Sequence, residues 1–155
     1  VFDDNYPTGR FYYWNSLYLD NLEDETIDAI LGHWAQSPSM QSNVDIWHLG
    51  GAISRVAPED TAFAFRTAPY LLNIESCWTD PRATEGNITW TREFWSDMQP
   101  YSAGGIYANF AGFTDEQQRL VRAIYGPNYD RLVALKNKYD PGNLFRMNPN
   151  IEPTV

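Results

Sequence analysis

The sequence predicts an α+β domain, an antiparallel sheet with helices packed mainly on one face. Three observations carry this. Three runs, Arg10 to Leu19, Val44 to Leu49 and Tyr70 to Trp78, read as strands, rich in aromatic or aliphatic residues and bounded by turn formers. Apolar residues recur at helical spacing elsewhere, as at Ile27, Ile30, Leu31 and Trp34. Strands and helices alternate irregularly, without short βαβ units, so the sheet reads as antiparallel.

In chain order, Tyr6-Pro7-Thr8-Gly9 is a turn, and the aromatic strand after it alternates imperfectly, so both its faces are expected to be covered. Asp24 reads as the N-cap of the first helix, and Ser37-Pro38-Ser39 ends that helix. Glu23, Asp24 and Glu25 at its start complement the helix dipole. Gly50-Gly51 breaks or bulges the second strand, which resumes over Ala52 to Val56. Pro58-Glu59-Asp60 turns the chain into Thr61 to Arg66, a short strand or extended segment. Asp80-Pro81 closes the third strand. Trp90, Phe94 and Met98 mark a helix capped by Asn87 or Thr89 and ended by Pro100, and Ile106 to Phe110 reads as a further short strand. Thr114 with Gln117 fits a capping box for the helix face Gln117, Leu120, Val121 and Ile124. Gly126-Pro127 separates this from a last helix carrying Leu132, Leu135 and Tyr139. Asp140-Pro141 stops it, because proline disfavours helical geometry in the residue before it.

A length of 155 residues suits one domain, and 43% apolar residues suffice for a core. Aromatic residues reach 15%, a surplus that suits a large core, a ligand pocket or a buried interface. The net charge of −9 argues against a nucleic-acid partner. The single cysteine, Cys77, excludes an internal disulfide or a cysteine zinc cluster and reads as a small buried hydrophobe. His33 and His48 lack ligand spacing, so no metal site is expected. No apolar run is long enough to span a membrane, and no signal peptide opens the chain. Val1-Phe2-Asp3-Asp4 does not read as a natural start, so a piece of something longer is expected. Asn87-Ile88-Thr89 matches the glycosylation sequon, a pattern common by chance.

The densest signal lies at the end of the chain, from Lys138 to Ile151, where turn formers and amides surround two apolar plugs, Leu144 and Phe145. Asn148 and Asn150 stand two apart and share a face in extended backbone. Two co-facing amides suit a polar planar ligand edge, and equally suit the tying-down of a tail. Upstream, Tyr107 and Asn109 follow Gly104-Gly105, where the missing side chains would let a flat ligand approach the backbone. The bland alternative is a core tyrosine and a strand-end amide.

The run from Ile124-Tyr125-Gly126-Pro127-Asn128-Tyr129 through Tyr139-Asp140-Pro141, Asn143-Leu144-Phe145-Arg146 and Asn148-Pro149-Asn150-Ile151 resembles the C-terminal segment of berberine-bridge-enzyme-like FAD-linked oxidases, members of the vanillyl-alcohol-oxidase superfamily. Gly104-Gly105-Ile106-Tyr107-Ala108-Asn109-Phe110 resembles the same family's stretch near the flavin ring. Weaker likeness extends over Tyr13-Trp14-Asn15-Ser16 and His48-Leu49-Gly50-Gly51-Ala52, hence essentially the whole chain.

The resemblance implies the C-terminal, substrate-binding part of an FAD-dependent oxidoreductase that positions a small organic substrate for hydride transfer to the flavin. FAD would be held mainly by an N-terminal domain absent from this chain; no glycine-rich phosphate loop occurs here. Residues 1–110 would form the substrate-binding portion and residues 111–155 a helical segment with a flavin-side tail. Tyr107, Asn109, Asn148 and Asn150 are the implied cofactor contacts, and Tyr12, Trp14, Trp47, Asn73 and Phe110 the implied substrate pocket.

Two positions depart from the family pattern. Plant members carry a tyrosine base after the asparagine, where this chain has Phe110, which takes no proton. Many relatives have glutamine where this chain has Pro149. The catalytic candidates are therefore Tyr107, His48 and Glu75. A histidine titrating near pH 6.5 suits a general base, although one in an apolar strand also suits a structural role. Leu71, Asn73, Glu75 and Cys77 share one strand face. Plant relatives place an acid or amide on the matching strand, which leaves Asn73 and Glu75 as equal candidates. The implied partners are the FAD-binding domain of the same protein and a small-molecule substrate. The isolated chain is expected to be inactive, and to pair as a homodimer through the face the flavin domain would cover. The competing reading is a stand-alone, non-catalytic α+β binding or dimerisation domain.

Overall fold

The computed structural model describes residues 6–111, 117–147 and 149–155. Its centre is a three-stranded antiparallel sheet, β1 (Phe11–Leu19), β2 (Asn43–His48) and β3 (Tyr70–Trp78), in the order β1-β3-β2. Strand β3 is central and buried along nearly its whole length, and its buried residues include the polar Asn73, Glu75 and Ser76 among apolar ones. Tyr12 pairs with Cys77, Trp14 with Glu75 and Ser16 with Asn73 on one side; on the other, Asn43 pairs with Glu75, Asp45 with Asn73 and Trp47 with Leu71. Because side chains alternate, these residues share one face.

The opposite face carries the main core. Leu17, Leu19, Leu72 and Ile74 pack with Ile30 of α1 (Asp24–Trp34) and with Trp90, Phe94 and Met98 at α2 (Thr84–Asp97). Helix α2 is pinned further by buried polar contacts: Ser76 Oγ donates to Asn87 O at 2.9 Å, and Trp95 Nε1 donates to Ser16 O at 3.0 Å. Two further helices follow, α3 (Gln117–Tyr125) and α4 (Tyr129–Tyr139), and their junction is tied to the loop between β2 and β3. Asn128 Nδ2 donates to Pro58 O at 2.7 Å and Thr61 O at 3.0 Å, and Arg131 Nη1 donates to Glu59 O at 2.8 Å. The expected α+β architecture, with helices mainly on one face, is the one observed.

Several local expectations are corrected. Asp24 is the first helical residue; the cap position belongs to Glu23, whose side chain makes no capping bond. Of the apolar set on α1 only Ile30 is buried, whereas Ile27, Leu31 and Trp34 are exposed. Residues 52–56 do not resume a strand: Ile53–Arg55 is one turn of 3₁₀-helix. Residues 61–66 form no strand either. Helix α2 starts before both expected caps, at Thr84, preceded by a 3₁₀ turn whose cap Asp80 accepts from Arg82 N. Asn87 is 1% exposed and its Nδ2 donates to Ala83 O, so its amide is closed off from a glycan. Residues 106–110 are not a strand; Ala108–Phe110 is a 3₁₀ turn. The capping box at Thr114 lies outside the described residues.

Candidate functional site

The sheet face turned away from α1 and α2 collects most of the candidate residues. Glu75 is fully buried at its centre. Its Oε2 accepts from Tyr6 Oη at 3.0 Å, the Trp14 indole lies close enough to favour the carboxylate, and Oε1 has no hydrogen-bond partner. Burial pushes the Glu75 carboxyl above the usual range; Trp14 and Tyr6 oppose this, and the negative Asp45 nearby reinforces it. The same surroundings act on Tyr6, where partial burial and the adjacent Glu75 push the phenol up to about 12. Tyr12 stacks on Trp14 with ring centroids 5.5 Å apart, and Tyr6 leans on Tyr12 at 5.9 Å. An aromatic row thus lies along the carboxyl.

Two residues along β3, Asn73 presents a second buried amide. Its Nδ2 donates to Asp45 Oδ2 at 3.3 Å, and its Oδ1 is unpaired. Trp47, half exposed on β2, meets Phe110 edge-on at 6.0 Å. Phe110 meets Tyr107 at 5.2 Å, and Tyr107 meets Phe63 at 6.3 Å. The loop carrying Tyr107 is fastened to this face by Tyr107 N donating to Ser16 Oγ at 3.2 Å and Ala103 N donating to Tyr18 O at 2.8 Å. Asn109 is exposed, and its Nδ2 donates to Tyr107 Oη at 3.1 Å.

The glycine pair divides its roles. The side of Gly105 that a Cβ would take is filled by the Phe65 ring, while nothing lies within 4 Å of that side of Gly104. Only Gly104 therefore leaves backbone open to a flat ligand.

Tyr12, Trp14, Trp47, Asn73, Glu75, Tyr107 and Phe110 thus share one face. His48 does not. Alternation on β2 puts it with Val44 and Ile46, exposed beside Tyr70, its ring centroid 5.6 Å from that phenol ring. Asn150 is half-buried in the tail, and Asn148 lies outside the described residues.

Among the described residues, Asn137, Lys136 and Asp140 tie the tail down. Asn137 exchanges two bonds with Thr154, at 2.9 Å and 2.8 Å. Asp140 accepts from Lys136 Nζ at 2.5 Å and from the backbone of Leu144 and Phe145 at 2.7 Å and 3.0 Å. The Lys136 bond chiefly holds the Asp140 carboxyl below its usual range. This hub holds Leu144, Phe145 and Met147 out into solvent.

Sequence reading missed Tyr6, Ser16 and Asp45. Asp45 carried a usable signal, a charge between Val44 and Ile46 that alternation places beside Trp47. Among the described residues no group of acidic, histidine or cysteine side chains could hold a metal ion, and no helix is long and apolar enough to cross a membrane.

The chain shares sequence and fold with known proteins. Residues 107–152 match the family described as Berberine and berberine like. The chain is 28% identical to an FAD-linked oxidoreductase of Dictyostelium discoideum over 99% of this chain and 33% of that protein. It is 32% identical to an uncharacterized FAD-linked oxidoreductase of Bacillus subtilis over 85% of this chain and 29% of that protein. A berberine-bridge-enzyme-like protein of Arabidopsis thaliana shares the fold with a TM-score of 0.82 at 19% identity, over 96% of this chain and 35% of the other. The chain is thus similar, in sequence and in fold, to a part of berberine-bridge-like FAD-linked oxidoreductases. It spans about a third of the length of the curated relatives it matches.

Proposed function

We propose that this chain is the substrate-facing portion of an FAD-dependent oxidoreductase, residues 1–110 forming the substrate wall and residues 111–155 the helical segment and tail that close it on the flavin side. The observation that carries the reading is the division of the sheet. One face is filled by α1 and α2, while the other gathers a buried carboxyl with a free oxygen under an aromatic row.

The residues fit a flavin neighbour in part. An exposed amide at Asn109, the open backbone at Gly104 and the half-buried Asn150 suit the edge of a planar ring. No glycine-rich loop suits the pyrophosphate, so most of the cofactor falls to a separate FAD-binding domain of the same protein. When bound, the flavin supplies the hydride acceptor. The chain's own residues do the rest. Trp14, Tyr12, Trp47 and Phe110 wall the substrate and exclude water. Tyr107 positions Asn109 through their shared hydrogen bond. Glu75, its carboxyl pushed up by burial, takes the substrate proton at Oε1; Phe110 has no group to do so, and His48 lies on the other face.

Titration of FAD into the isolated chain, followed by flavin fluorescence, tests the division of labour. Binding weaker than micromolar is expected, and sub-micromolar binding would contradict it. The same sample should sediment as a homodimer that tightens with salt, because Trp47 and the tail residues Leu144, Phe145 and Met147 stand exposed. A monomer at low and high salt would favour a stand-alone domain with a finished surface.

A further inference from the structure

Asn73 and Glu75 stand two residues apart on the same face of β3, and each has one buried oxygen without a hydrogen-bond partner, Asn73 Oδ1 and Glu75 Oε1. Buried polar atoms in folded proteins are nearly always paired, and leaving one unpaired costs about 1–3 kcal/mol. Two neighbouring exceptions on one face mark a place where donors are wanted. The orientation of the Asn73 amide is fixed by chemistry. An ionised Asp45 accepts and cannot donate, so the amide must turn its NH₂ toward Asp45 Oδ2, at 3.3 Å, and its carbonyl oxygen away. Glu75 has only one of its oxygens engaged by the Tyr6 hydroxyl. Tyr6, 45% exposed, is the end member of the aromatic row Tyr6-Tyr12-Trp14 and belongs to no strand.

Resting on the substrate-facing reading above, we infer that Asp45 is a positioning residue: it locks Asn73 so that Asn73 Oδ1 and Glu75 Oε1 form a two-acceptor clamp, which selects an aromatic-stacking ligand that brings hydrogen-bond donors over one that brings none. Asp45→Asn removes the lock. An asparagine there can donate to Asn73 Oδ1 as well as accept from Nδ2, so the Asn73 amide is free to reverse and the face loses its fixed acceptor. The substitution therefore alters selectivity while the fold persists.

The test uses the flavin-containing full-length protein and two matched pairs of probes, benzyl alcohol with benzyl methyl ether and benzylammonium with benzyltrimethylammonium. Perturbation of the flavin visible spectrum reports each Kd without turnover. The donor-bearing member of each pair should bind about tenfold tighter. Asp45→Asn should bring the ratios close to one with little change in Tm, Asn73→Leu should do the same, and Asp45→Glu should restore part of the preference. Equal binding within each pair in the wild type, as when a buried water already satisfies both oxygens, overturns the inference. So does a preference that survives both Asp45→Asn and Asn73→Leu. A protein that purifies without flavin contradicts the parent reading instead, and the same ratios are then read from tryptophan fluorescence, through Trp14 and Trp47.

Discussion

Glu75→Gln is expected to lower turnover of the flavin-containing protein by about 10²–10⁴-fold, the usual weight of a positioned general base, while making the fold more stable at neutral pH. The two effects have one cause. Glu75 is fully buried, and burial pushes its carboxyl above the ordinary value of 4.5. A group that binds its proton more tightly folded than unfolded contributes stability below its unfolded value. That contribution is lost as pH rises through the folded value. The wild type should therefore lose stability relative to the glutamine variant from about pH 4.5 upward. The variant keeps an acceptor for Tyr6 and has no charge to bury. Melting curves of the two proteins between pH 4 and 8 should start close together and diverge, with the glutamine form higher at the alkaline end. A glutamine form that melts lower across the range would show that the ionised carboxylate is well compensated. Turnover left within a fewfold of wild type would take the base role away from Glu75.

What the sequence revealed, and what it did not, follows from what each pattern encodes. The bounds of β3 were legible to the residue, because a stretch rich in aliphatic and aromatic residues begins after Pro69 and is closed by Asp80-Pro81. The false strands, over 52–56, 61–66 and 106–110, arose where short mixed stretches fit period two by chance, and loop packing decided their shape. Helix α1 was found from its apolar spacing, yet three of the four apolar residues that revealed it are exposed. Most of the candidate face was legible once alternation was applied to β3. The same rule separates His48 from Trp47, since adjacent residues on a strand cannot share a face. Tyr6 and the Asp45–Asn73 contact were not legible, since each joins residues far apart in the chain, through a register that only strand pairing sets. The tail motif was visible, while the side chains that fasten it were not singled out. The anchors described are Asn137, Lys136 and Asp140; of the expected asparagine pair, Asn148 lies outside the described residues.

Gly105→Ala is expected to destabilise the chain by several kcal/mol, far beyond the usual cost of adding one methyl group. Two penalties add. Gly105 has φ +78°, a left-handed conformation that costs a side-chain-bearing residue about 1–2 kcal/mol. The new Cβ would also sit 2.1, 2.3 and 2.4 Å from three atoms of the Phe65 ring, inside any tolerable contact. The ring cannot swing away cheaply. It stacks on Tyr18 with centroids 4.9 Å apart and lies against Gly126, where a Cβ would be 3.2 Å from Cζ. Phe65 is therefore a wedge between the sheet, the loop that carries Tyr107 and Asn109, and the junction of α3 with α4. Phe65→Ala alone should cost about 3 kcal/mol through lost burial and the cavity left behind. In that background Gly105→Ala should cost only its backbone share, about 1–2 kcal/mol, because the atoms it struck are gone. Urea unfolding of the wild type, both single variants and the double variant measures the coupling directly. A double variant much more stable than the sum of the single losses confirms the wedge. Simple additivity would show that the ring yields on its own, and that Gly105 is retained for its backbone conformation alone. In the flavin-containing protein, Phe65→Ala should also weaken turnover, because the loop it braces sets the position of Tyr107 two residues beyond Gly105.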